Sequence, residues 1–95
     1  MARQIVVMGS GETSPTMVTP HQRVLAASPG PRVVLDTPFG FQENADILTG
    51  RLVDYFRESV GAEVDPVQLR RADQSPATVG EAISAVGRAS WVFAG

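Results

Sequence analysis

Apolar residues along the chain fall into two alternating patterns. Short, nearly continuous runs occur at residues 3–8 (RQIVVM), 32–36 (RVVLD), 62–69 (AEVDPVQL) and 90–94 (SWVFA). The first stops at Gly9; the second is entered through SPGP and left through Thr37-Pro38. Apolar residues at successive positions fit strands buried on both faces, as in parallel sheets. The third run is the weakest, because Pro66 withholds a ladder donor.

Between these runs the apolar spacing becomes helical. Thr19-Pro20-His21-Gln22 reads as a capping box with Pro at the first helical position, opening a helix through Val24, Leu25 and Ala27. A second helix is predicted over residues 44–60. Its stripe is Ala45, Leu48, Leu52, Tyr55, Phe56 and Val60. Arg51, Asp54 and Arg57 share the other face, and Gly61 stands where left-handed geometry favours glycine. A third helix carries Val79, Ala82, Ile83 and Val86. Thr78 and Glu81 form a capping box for it, with Ser75-Pro76 as a competing start.

The order is β-α-β-α-β-α-β. It predicts an α/β fold: a parallel sheet of about four strands with right-handed crossovers, flanked by helices. Ligands of open parallel sheets bind outside the carboxyl ends of the strands. Those ends are residues 9–15, 37–44, 70–75 and Gly95.

Composition narrows the chemistry. The 95 residues are enough for one domain, and 43% of them are apolar, a globular value. No apolar run approaches the ~20 residues that cross a bilayer, and the apolar start is too short for a signal-peptide core. No membrane partner and a cytoplasmic location are therefore expected. With no cysteine, disulfides, thiolate metal sites and cysteine nucleophiles are excluded. A net charge of −2 without a basic patch argues against nucleic acid. No His/Asp/Glu set has metal-ligand spacing, and no cofactor is implied.

The turn Gly9-Ser10-Gly11-Glu12 admits several readings. Followed by Asp36 at the end of the second strand, it has the start of a dinucleotide fingerprint. However, Ser14-Pro15 and Thr19-Pro20 keep a helix from starting at once, so no helix N-terminus is aimed at a pyrophosphate. A receiver domain needs an acidic pair after the first strand, and Met8-Gly9 stands there. The turn can also serve backbone geometry alone. Glu12 adds a carboxylate beside the two glycines, at the sheet edge where a ligand would sit.

Four stretches carry a family resemblance: IVVMGSGE, LDTPFGFQENAD, DYFRESVGAEVDPVQL and SWVFAG. Together they resemble the cyanophycinase and dipeptidase E group of serine peptidases over nearly the whole chain. The resemblance implies the flavodoxin-like, class I glutamine amidotransferase-like fold. It implies hydrolysis of a peptide or isopeptide bond by a Ser on a strand-to-helix turn, with a His and an acid behind it and glycine-loop N–H groups holding the oxyanion. Carried onto this chain, Gly95 opens that glycine loop, and Gly9, Gly11 and Glu12 line the same edge. The family's nucleophile turn follows a fifth strand. No Gly-x-Ser-x-Gly occurs here, and the one His, His21, lies in a predicted helix where a surface or packing role is the plainer reading. No catalytic residue is assigned.

The expectation is thus a single, partial domain over residues 1–95, the amino-terminal part of a hydrolase-like domain without its nucleophile. Its alternative is a non-catalytic small-molecule binding or self-association module. The ligand-binding edge is expected at Gly9, Ser10, Gly11, Glu12, Phe39 and Gly95. The expected partners are a peptide-like small substrate and a second copy, joined in a homodimer through the last strand, where SWVFA would be an exposed apolar edge. Other residues have plainer readings. Asp36 suits the adjoining loop, Trp91 the core and Arg70-Arg71 a solvated pair. Phe39 and Phe41 either wall a pocket or cap the core.

Overall fold

A computed structural model describes residues 5–71 and 74–95. Its described strands are β1 (Arg32–Leu35), β2 (Asp65–Val67) and β3 (Trp91–Ala94); its α-helices are α1 (Val18–Ala26), α2 (Ala45–Asp54) and α3 (Pro76–Arg88). The sheet is parallel and three-stranded among the described residues, in the order β2-β1-β3. Val33, Val34 and Leu35 lie beside Asp65, Pro66 and Val67 on one side and beside Val92, Phe93 and Ala94 on the other.

Alternation along β1 divides the core in two, because successive side chains point to opposite faces. Val34 joins Leu25 of α1, Leu52 of α2, Phe56, Trp91 and Phe93 on one face. Val33 and Val67 meet Ala82 of α3 on the other. The result is an α/β sandwich with α1 and α2 on one side of the sheet and α3 on the other.

The observed sheet differs from expectation in two respects. A fourth strand at the start of the chain is not observed: residues 5–8 pair with no strand, and residues 3–4 lie outside the described part. Both sides of β1 are taken by β2 and β3, so this run has no place beside β1. The strand order also differs from the flavodoxin-like one, which would set residues 90–94 beside residues 62–69. Here β3 pairs with β1, on the side away from β2.

Helix boundaries follow the caps. The start of α1 is not the Thr19 capping box. A 3-10 turn at Pro15–Met17 runs directly into Val18, so Thr19 and Pro20 fall inside the first turn. Pro is tolerated there because its missing N–H would have no helical partner. The Gln22 amide instead donates to the Val60 carbonyl at 3.0 Å, tying α1 to the end of the second helical segment. That segment widens into a π-helical stretch at Tyr55–Val60 and stops at Gly61, whose φ of 86° is left-handed. At α3 the competing start prevails. Ser75 is the cap, its Oγ accepting from the Thr78 N–H at 3.2 Å, with Pro76 next.

Candidate ligand-binding groove

The glycine turn is built by its backbone. Gly11 has φ +91°, and the Ser14 N–H donates to its carbonyl at 2.9 Å. A side chain at that φ is strained, so glycine is required by geometry. The turn is pinned to the body of the protein at two further points. His21 Nε2 donates to the Glu12 carbonyl at 2.6 Å, and the Tyr55 hydroxyl donates to the Ser14 carbonyl at 2.8 Å. Burial raises the Tyr55 pKa, since the phenolate would lose water.

His21 is the packing histidine among the alternatives raised above. It is buried, and its ring meets Phe56 edge-on at 5.0 Å and Phe93 at 5.8 Å between centroids. Because a carbonyl only accepts, Nε2 carries the proton. Its hydrogen bond among the described residues goes to a backbone carbonyl and not to a hydroxyl.

The turn and β3 bound an open groove of about 1240 Å³. Gly9, Ser10, Glu12, His21 and Gly95 line it, together with the length of β3. Gly95 lies against the Glu12 side chain: a Cβ on Gly95 would stand 3.4 Å from Glu12 Cγ. Four of the six expected edge residues thus meet around one groove, and Gly11 shapes the turn beside them. Phe39 is elsewhere, buried in the core with Val34 and Phe56, while Phe41 is exposed. The groove also includes His21, which sequence reading set aside. The available signal was its spacing of four from Leu25, which puts both on the buried face of α1.

The other strand ends are closed by the protein itself. One Asp36 carboxylate oxygen accepts from the Leu69 N–H at 2.7 Å, and the other accepts from Arg70 Nε at 2.7 Å. Arg70 also pairs with Asp46. Hydrogen bonds to Asp36 first, and then to Asp46, raise the Arg70 pKa further above its ordinary range. Thr37 Oγ1 donates to the Leu69 carbonyl at 2.6 Å. Asp36 is therefore a loop clamp, and Arg70 is ion-paired where a solvated arginine was expected. Trp91 is core, 5.2 Å from Phe56 between ring centroids.

Among the described residues no group of His, Asp and Glu is arranged to hold a metal ion, and no helix is long and apolar enough to cross a membrane. Comparison with family models, curated proteins and solved structures finds no match to this chain.

Proposed function

We propose that this chain is the groove-bearing, amino-terminal part of a serine-peptidase-like hydrolase domain resembling cyanophycinase and dipeptidase E, and that alone it binds a peptide-like ligand without cleaving it. The observation that carries the reading is the convergence of Gly9, Ser10 and Glu12 with Gly95 at the carboxyl end of β3. Parallel sheets present ligands at that end. Glu12 offers a carboxylate to an ammonium or amide N–H, and the glycines let a ligand backbone approach closely. His21, the one candidate base, is buried and holds the turn, so it acts here as a positioning residue.

The test is titration with a dipeptide and its isopeptide-linked isomer, read by calorimetry and by product formation. Binding without turnover is expected, weakened about tenfold or more by Glu12→Gln through loss of a charge-assisted bond. Release of free amino acids, or no heat at millimolar ligand, contradicts the reading.

A second reading, self-association through the last strand, is favoured by the position of β3. Among the described residues it is an edge strand, and Val92 is 42% exposed on the face that α3 leaves uncovered. Concentration-dependent sedimentation is the expected sign.

A further inference from the structure

We propose that residues 5–8 dock on the outer edge of β3 as a fourth, parallel strand of the same chain. The first observation is the difference between the two sheet edges. β2 carries Asp65 and Pro66, a charge and a missing donor, both of which discourage further pairing. β3 reads Trp-Val-Phe-Ala, with neither. Among the described residues no strand pairs with its outer edge.

The second observation is the segment itself. Ile5, Val6 and Val7 are 93%, 51% and 91% exposed, three consecutive β-branched residues in water. Such a run is a poor loop and a good strand. It lines the same groove as β3, through Ile5, Val6 and Met8.

Direction and hand agree with parallel docking. The segment leads into the Gly9–Gly11 turn, and Glu12 packs on Gly95, so its carboxyl end already lies at the carboxyl end of β3. From β1 to β2 the chain steps one way across the sheet, with α2 on one face. From β2 to β3 it steps back, with α3 on the opposite face. Reversing both step and face preserves the hand, so these crossovers share one hand, as parallel connections do. A step from residues 5–8, beside β3, through α1 to β1 repeats the direction and face of the β1-α2-β2 unit, and keeps that hand.

Side-chain parity follows. Val6 and Met8 are less exposed than Ile5 and Val7, so in the docked strand they are the pair assigned to the α1 side. Ile5 and Val7 then lie beside Val92 and cover the apolar patch that α3 leaves open. The edge has one seat. A docked segment excludes the second copy that self-association through β3 would bring, and it fills the groove alongside β3 while leaving the end bounded by Gly9, Ser10, Glu12 and Gly95 for a ligand.

The chain has no cysteine, which makes the test direct. Val7→Cys with Val92→Cys places two thiols on one face of adjacent strands; Val6→Cys with Val92→Cys places them on opposite faces. In oxidised glutathione buffer, two thiols give up two electrons and two protons to form the disulfide, and the glutathione disulfide is reduced. The first pair is expected to close within the monomer about tenfold faster than the second, because cross-strand geometry brings its Cβ atoms together. Equal rates, or a disulfide joining two chains, overturns the proposal. Amide exchange on the unmodified chain guards against a variant that fails to fold. Slowing of about tenfold or more is expected within residues 6–8 relative to free chain, and free-chain rates throughout overturn the proposal.

Discussion

Asp36 ends β1 with both carboxylate oxygens occupied, and its partners come from the loop after β2. It is almost fully buried, whereas Asp46, the second partner of Arg70, is 90% exposed. The two ion pairs should therefore differ in weight. Asp36→Asn is expected to destabilise the fold by roughly 3 kcal/mol, since it leaves a part-buried guanidinium without its main partner. Asp46→Asn should cost about 0.5 kcal/mol or less, the range of exposed pairs. Urea denaturation of both variants checks the contrast, and equal effects would contradict it. Tyr55 adds a pH dependence. Its folded pKa lies above the ordinary 10.0, so the folded state holds its proton where the unfolded chain loses it. Stability is then full below pH 10.0 and falls as pH rises through the folded pKa. Tyr55→Phe should flatten that fall in thermal melts. At this scale the sequence was partly legible. Asp before Thr-Pro pointed to a loop, and Trp91 to core. The Asp36–Arg70 pair joins residues 34 apart and rests on which strands are neighbours, which local pattern does not encode. The burial of His21 was set by the aromatic rings of Tyr55, Phe56 and Phe93, brought from two other segments.

Elements show how competing local signals resolve. Two capping boxes were written at Thr19 and Thr78, and neither starts its helix. At α1, the turn beginning at Pro15 already supplies helical geometry, so Thr19 is carried inside. At α3, Ser75 caps and Pro76 presets φ at the first helical position. Ser75→Ala should therefore cost about 1 kcal/mol, while Thr19→Ala should leave the melting temperature nearly unchanged. A reversed ranking would contradict the cap assignment. Gly40 supports the Arg70 loop by space, not by φ: a Cβ there would lie 2.8 Å from the Arg70 Cα. Gly40→Ala should destabilise by about 1–3 kcal/mol through overpacking, measured against Gly50→Ala, where a Cβ meets nothing within 4 Å. Strands at residues 32–36, 62–69 and 90–94 were legible because their apolar runs are bounded by turn residues. The run at residues 3–8 has the same signature and forms no ladder in the described residues, because a run's own composition does not encode which strand becomes its neighbour.

At the level of the whole molecule, one helical layer is well packed and the other is thin. The face under α1 and α2 carries every buried aromatic residue, whereas α3 covers Val33 and Val67 and leaves Ile83 and Val92 exposed. Two of the three strand ends are sealed by the Asp36–Arg70–Thr37 network, so the end of β3 is where the groove opens. The most direct test is to follow backbone amide resonances while adding an isopeptide-linked dipeptide. Shifts concentrated at Gly9, Ser10, Glu12 and Gly95, with no product formed, are the result expected for a binding groove at the carboxyl end of β3. Shifts spread over α3 and the Arg70 loop, or none at millimolar dipeptide, would contradict it.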